Sequence, residues 1–338
     1  MKSTLETIAL RTGFSASTVS RVLSGKSKDG RISEKTAGII RKAAQEAGYT
    51  PNVLAQNLRT RKTNTIGLLV PSVGNPFFAD IASSVIEEAR RRGYTTIVTD
   101  SAENPETEKS AISSLLSRQV DGIIAIPSGD DPSLYEEINR KVLPVILVDR
   151  YFSGSTLPYI TTNNYTGSVE GTSELILNGH RRIACIQGAT ASMPNKKRVA
   201  GYLAALEKAG LRERAVIVGN EFSEQNGYLE TKLLLSRPGE ERPSAIFALS
   251  NTIMLGAVRA IKEAGLKIPG DISIIAFDNN IYMDYLTPAI TRIAQPTDEM
   301  GKLATKLLFE CIATGQRSTT QIELSPTLVR ADSVSERI

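Results

Sequence analysis

The apolar positions of the chain change their period near residue 65. Before it they recur at helical spacing: Leu5, Ile8 and Ala9, then Val19, Val22 and Leu23, then Ile39, Ile40, Ala43 and Ala44. These stripes predict three short helices, over 5–12, 16–23 and 33–47. Polar punctuation marks their ends. Ser3 and Glu6 fit a capping box, and Ser15 fits the N-cap of the second helix. Gly13 supplies the positive φ of a tight turn that buries Phe14, and Gly48 supplies the left-handed stop of the third helix. Two helices joined by a short glycine-containing turn form a helix-turn-helix, whose second helix enters the major groove of DNA. Small residues at its start, Ser15, Ala16, Ser17 and Thr18, let backbone amides approach phosphates. Ser20 and Arg21 follow on the outward side, where Arg21 reaches a guanine edge or a phosphate. The same pattern also fits an ordinary helical hairpin.

Beyond Thr65 short apolar runs alternate with amphipathic stretches. Strands are expected at 66–70, 96–99, 122–126 and 145–148, with helices near 77–92, 104–118 and 132–141. A second set places strands at 159–162, 182–187, 215–218, 245–249 and 273–277, with helices near 165–179, 197–209, 224–236 and 252–265. A strand at 290–294 and a helix over about 298–313 then return to complete a sheet. Alternation of this kind means parallel sheets covered on both faces, here in two similar lobes with a cleft between them. Ligands in such sheets bind beyond the carboxyl ends of the strands. The residues there are Asn75, Phe77 and Phe78, then Asp100 and Ser101, then Asp149 and Arg150. Arg198 is expected to open a helix of the second lobe, and Ser250-Asn251, Asp278-Asn279-Asn280 and Gln295 follow later strands. Carboxylates facing a guanidinium beside aromatic rings suit a polyhydroxylated ligand, although an Asp after a strand is often only a helix cap.

Charge sharpens the division. Residues 1–62 hold twelve Lys or Arg against four Asp or Glu, while the remaining 276 hold 28 against 32. A basic head on a mildly acidic body fits a nucleic-acid-binding module attached to a soluble domain, and it also fits a basic tail that only aids solubility. The 338-residue length, 41% apolar and 22% charged composition fit a globular chain of two or three domains. Two cysteines, Cys185 and Cys311, make neither a disulfide framework nor a metal site, so no metal is expected and the cytoplasm is the expected compartment. No apolar run is long enough to span a bilayer, so no membrane role is expected. A single histidine, His180, reads as a cap or packed surface residue, and no phosphate-binding or dinucleotide glycine motif occurs, so no cofactor and no enzyme activity are expected.

The blocks Ser17-Thr18-Val19-Ser20-Arg21-Val22-Leu23, Gly48-Tyr49-Thr50-Pro51-Asn52, Leu54-Ala55-Gln56-Asn57-Leu58-Arg59-Thr60 and Thr65-Ile66-Gly67 resemble, in order and spacing, the lactose/galactose repressor family of bacterial transcription regulators. The resemblance implies a small all-α helix-turn-helix head at 1–51, a hinge helix and linker at 52–64, and a two-lobed α/β periplasmic-binding-protein-like body with parallel sheets at 65–338. It implies that Asn52, Leu58 and Arg59 act on DNA, with Leu58 wedged between base steps of the minor groove. It also implies effector contacts at Asp149, Arg198, Phe222, Asp278 and Gln295. The partners expected are near-palindromic double-stranded operator DNA, a second copy of the chain, and a small-molecule effector, most simply a sugar or sugar derivative. Without a heptad tail, a homodimer is expected rather than a tetramer.

Two departures from the family pattern stand out. The stretch 24–31 is about three residues longer than usual, and Ser250-Asn251 replaces the Asn-Asp of many relatives, removing an ionised acceptor or helix cap. Lys196 and Lys197 beside Arg198 keep an anionic ligand open. Other readings of the body alone are a solute-binding protein without DNA-binding activity and a carbohydrate-processing enzyme using Asp149 or Asp278.

Overall fold

The computed structural model describes residues 4–24, 32–49 and 62–337. The chain divides after Thr63 into two compact units. The first holds α1 (Leu5–Thr12), α2 (Ala16–Leu23) and α3 (Glu34–Glu46). The cap of α1 is Thr4, one residue later than the Ser3 expected from the sequence. Thr4 lies in extended backbone, its hydroxyl accepts from the Thr7 amide, and Thr7 replaces Glu6 as the reciprocal partner. Ser15 and Ser33 cap α2 and α3 through the amides of Thr18 and Thr36, each at 3.2 Å. Gly13 and Gly48 take φ of 73° and 58°, the left-handed turns that their positions require.

The head core consists of Ile8, Val19, Val22, Ala37, Ile40 and Ala44, with Phe14 and Leu23 packed against it. Ile39 does not join the expected stripe and is 46% exposed. Ala37, Ile40 and Ala44 follow the i, i+3, i+7 rule, which carries Ile39 off the buried face.

The body carries two six-stranded sheets. The first contains β1 (Thr65–Val70), β2 (Thr95–Asp100), β3 (Gly122–Ala125), β4 (Val145–Val148) and β5 (Tyr159–Thr162), with β11 (Gln321–Leu324) at its edge, in the order β11-β5-β4-β3-β1-β2. The second contains β6 (Ile183–Ile186), β7 (Val216–Val218), β8 (Ala245–Ala248), β9 (Ser273–Phe277) and β10 (Thr291–Ala294), with β12 (Thr327–Val329), in the order β12-β10-β9-β8-β6-β7. All pairs are parallel except β10 with β12. β1, β3, β4, β6, β8 and β9 are almost wholly buried, as strands covered on both faces must be.

Helices α4 (Pro76–Arg91), α5 (Pro105–Ser117) and α6 (Ser133–Lys141) cover the first sheet. Helices α7 (Asn164–Leu177), α8 (Met193–Lys208), α9 (Glu224–Leu235) and α10 (Asn251–Glu263) cover the second. The chain passes between lobes three times. It leaves the first sheet after β5, returns after β10 into α11 (Thr297–Thr314), whose Met300, Ala304 and Leu308 enter the first core, and crosses again between β11 and β12.

Two expectations change here. Residues 159–162 do not start the second lobe: Leu147 pairs with Tyr159 and Val148 with Ile160, making β5 a strand of the first sheet. Arg198 does not open its helix, because α8 starts at Met193 and places Arg198 in its second turn.

Candidate functional site

The carboxyl ends of the strands in both lobes face a common cleft. In the first lobe Asn75 caps α4, accepting from the Phe77 amide at 3.1 Å, and this turns the rings of Phe77 and Phe78 inward to 4% exposure each. Asp149 directly follows β4 with φ of 59°, and Asp278 directly follows β9 with φ of 81°. Both are in the left-handed region, a cost that non-glycine residues bear chiefly where surrounding structure holds them, often at functional sites. Both side chains are buried, at 4% and 3% exposure.

Between them stands Arg198, also buried. Its Nε donates to Asn164 Oδ1 at 2.7 Å, its Nη1 donates to the Leu249 carbonyl at 2.7 Å, and its guanidinium lies 4.0 Å from the centre of the Phe277 ring. Asp278 accepts from the Asn251 amide at 2.9 Å and from Gln295 Nε2 at 2.6 Å. Burial pushes both carboxyls up, Asp149 to about 6, against the pull of Arg198. Burial pushes the Arg198 guanidinium down, and the two carboxylates oppose that shift.

Asn75, Phe77, Phe78, Asp149, Arg198, Phe222, Ser250 and Asp278 line one cavity, and Gln295 stands behind Asp278. Phe222 lies over Gly188, where an added Cβ would overlap its ring. Ser250 caps α10, accepting from the Ile253 amide at 3.2 Å. The missing Asp corresponds to Asn251, the first residue of α10, and not to the cap itself. Asp100 and Ser101 stay out of the cavity. Asp100 accepts from the amides of Val73, in the loop after β1, and of Ala102 in its own loop, and Ser101 bonds Ser128.

Sequence reasoning placed Arg150 and Asn251 at strand ends facing the cleft without giving either a role, and it did not name Ser192 or Pro194. Arg150 donates both terminal nitrogens to Glu103, at 2.6 and 2.8 Å, and its guanidinium lies 5.6 Å from the rings of both Phe78 and Phe222. Its position directly after Asp149 was the available signal. Ser192 and Pro194 also line the cavity, as the N-cap and a first-turn residue of α8, and their place at the start of the helix after β6 could have pointed to them. Asn251 joins the lobes, donating to Asn75 Oδ1 at 3.1 Å and to Asn280 Oδ1 at 2.7 Å, while Asn280 donates to Asp80 at 3.3 Å.

In the head, Ser15, Ala16, Ser17 and Arg21 are exposed, and Thr18 and Ser20 are half-buried. Asn52, Leu58 and Arg59, with the rest of the expected hinge helix, lie outside the described residues. His180 is buried rather than at the surface. Its Nδ1 lies 2.9 Å from the Ser244 hydroxyl, and burial pushes its pKa down to about 4. Among the described residues no cluster of His, Cys, Asp and Glu could hold a metal, and no helix is long and apolar enough to cross a membrane.

Residues 4–52 match the family described as bacterial regulatory proteins, lacI family. Residues 63–330 match periplasmic binding proteins and sugar binding domain of LacI family. The transcriptional regulator DegA of Bacillus subtilis (strain 168) is 33% identical over 99% of both chains. The crystal structure of the lac repressor dimer bound to operator and the anti-inducer ONPF superposes with a TM-score of 0.87 at 26% identity, covering 99% of this chain and 100% of that one. A LacI family transcriptional regulator from Enterococcus faecium with bound ribose gives 0.74 at 28% identity, covering 81% of this chain and 100% of that one. These relatives are transcription regulators, and the first two extend over head and body alike. The chain therefore belongs to the LacI family of bacterial transcription regulators.

Proposed function

We propose that the cleft of this DNA-binding regulator takes a neutral, polyhydroxylated effector, a sugar or sugar derivative, and that its binding changes operator affinity. The observation that carries the effector class is a set of acceptors without partners. Asp149 Oδ1 and Gln295 Oε1 are buried with no hydrogen bond. Buried polar atoms are rarely left so, and ligand hydroxyls would satisfy them.

The roles follow from the bonds already made. Asp149 and Gln295 accept from hydroxyls. Arg198 and Asp278 hold the centre of the site. Asn75 offers its Nδ2, because its Oδ1 already serves Phe77 and Asn251. The rings of Phe77, Phe78 and Phe222 pack on the C–H face of a sugar, and Ser250 adds a hydroxyl at the rim. An anion fits this chamber poorly. Arg198 lies between Asp149 and Asp278, Arg150 is paired with Glu103, and Lys196 and Lys197 are exposed rather than in the chamber wall.

The chamber as it stands has a volume of about 20 Å³, enough for roughly one water. A sugar therefore requires the lobes to part, breaking Asn251–Asn75 and Asn280–Asp80. An effector favouring one lobe arrangement shifts the balance between DNA-competent and DNA-incompetent forms.

In the head, Ser15, Ala16, Ser17, Thr18, Ser20 and Arg21 form the major-groove surface. Asn52, Leu58 and Arg59 act at the minor groove, so Leu58→Ala should reduce operator bending. Two copies read the halves of a near-palindromic operator in the cytoplasm. Calorimetric titration of the full chain with ribose, glucose and galactose tests the site. One sugar should bind, and Asp149→Asn should weaken it by about tenfold or more. Equal affinity in the variant would remove Asp149 from the site.

A further inference from the structure

The side-chain amides of Asn75, Asn251 and Asn280 form a chain between the lobes, and the groups at its two ends fix which way each amide points. At one end Asp80, an exposed carboxylate near the start of α4, can only accept when ionised. Asn280 therefore turns its Nδ2 to Asp80 at 3.3 Å and presents its Oδ1 to Asn251. At the other end the Phe77 backbone amide can only donate, so Asn75 gives it Oδ1, the same atom that faces Asn251. Residue 251 thus meets an acceptor in each lobe and must donate twice. Its Nδ2 does so, at 3.1 Å to Asn75 and 2.7 Å to Asn280, while its Oδ1 accepts from the Thr252 amide. Asn251 is wholly buried, so water does not substitute for these bonds in the closed cleft.

We infer that Asn251 is the latch that holds the empty cleft closed, and that its amide sets how tightly the effector binds. This rests on the reading of the cleft as the effector site, because ligand entry must break the Asn251–Asn75 bond. The residue type is decisive. An Asp, which the family pattern would place here, has the same shape but no proton to give. Its carboxylate would face the Oδ1 atoms of Asn75 and Asn280, beside Asp278, which accepts from the residue 251 backbone amide at 2.9 Å. Turning Asn280 over would supply a donor but set its Oδ1 against Asp80. Turning Asn75 over would abandon the Phe77 amide. The closed arrangement therefore favours Asn over Asp whichever way the neighbouring amides point. An effector that binds the parted lobes is weakened by the share of chains held closed, so a looser latch means tighter binding.

Asn251→Asp in the full chain tests the inference, with ribose, glucose and galactose titrated calorimetrically. The sugar that binds the wild type should bind this variant about tenfold more tightly, the worth of one to two hydrogen bonds. Asn251→Asp combined with Asp80→Asn reverses the polarity at both ends of Asn280, which can then turn over and bond each of them. The pair should return affinity most of the way to wild type. A residue that only supports folding would weaken binding when changed and would not be rescued from the other lobe.

A second readout needs no ligand. Dyes on Lys109→Cys in α5 and Lys197→Cys in α8, both exposed positions, report the separation of the lobes by energy transfer, the two native cysteines being buried. Asn251→Asp should change the transfer in the sugar-free chain, and the paired variant should restore it. Unchanged or weakened sugar affinity in Asn251→Asp, or transfer equal to wild type, overturns the latch while leaving the effector site intact. Binding of none of the sugars by the wild type overturns the effector reading, and the transfer measurement then decides alone whether Asn251 holds the lobes together.

Discussion

Asp149 and Asp278 occupy equivalent places in the two lobes. Each directly follows the third strand in its sheet's spatial order, each has a left-handed backbone, and each is buried with its charge opposed to Arg198. The cleft is thus built from a repeated element, with one guanidinium between the two halves. Under the proposed reading of the cleft, Arg198 is both a contact for ligand and a support for the site.

Removing this guanidinium leaves two buried carboxylates facing each other. Arg198→Ala should lower stability by about 3 kcal/mol or more, the usual cost of breaking a buried ionic set. Arg198→Lys keeps the charge but loses the bonds to Asn164 and Leu249. It should fold with a smaller loss and fail to respond to effector. Denaturant unfolding of both variants checks this, and a wild-type midpoint for Arg198→Ala would refute the ionic account.

The raised Asp149 pKa makes stability depend on pH. The folded chain holds this proton up to about pH 6, whereas the unfolded chain releases it near the ordinary value of 3.8. Between these values the native state binds more protons, so its stability falls as pH rises through the window. The penalty is complete above about pH 6, and Asp278 contributes in the same direction. Asp149→Asn should flatten unfolding free energy between pH 4 and 6 and gain about 1–3 kcal/mol at pH 7. A slope unchanged in the variant would assign the pH dependence elsewhere.

Gly188 leaves no room for a side chain beneath Phe222. Gly188→Ala should displace that ring from the cavity and weaken effector binding by several-fold, because the aromatic wall is lost while the polar groups stay. Affinity at the wild-type level would show that the ring shifts without consequence.

In the head, Arg21 projects from α2 without entering the core. Arg21→Ala should weaken specific operator binding and leave effector affinity alone. Salt titrations separate the two ways it acts: a slope reduced by about one charge marks a phosphate contact, and relaxed preference at one base pair marks a guanine contact. Unaltered operator affinity would exclude Arg21 from the interface.

Much of this organisation is legible in the residues. The change from helical to strand-and-helix periodicity locates the two units, and the hydroxyl caps at Ser15 and Ser33 are local chemistry that nothing distant overrides. The boundary between the lobes is not legible in that way. Residues 159–162 have the same apolar pattern whichever sheet receives them, and only pairing with Leu147 and Val148 decides. β11 and β12 escape notice because edge strands with partly exposed residues lack a continuous apolar run. Ser192 and Pro194 reach the cleft at the very start of α8, where periodicity says little, and Phe222 comes to attention only through family resemblance. Ile39 shows the reverse error, an apolar residue read as core that the helix turns outward.

The central claim is that occupancy between Asp149 and Asp278 alters the grip of the head on DNA. The direct test is operator affinity measured on a site selected with the purified full chain, titrated with the sugar panel in the wild type and in Arg198→Lys. The account predicts a near-palindromic site whose affinity changes with one compound in the wild type and with none in the variant. A response of equal size in both, or an operator indifferent to every compound that calorimetry shows to bind, would contradict it.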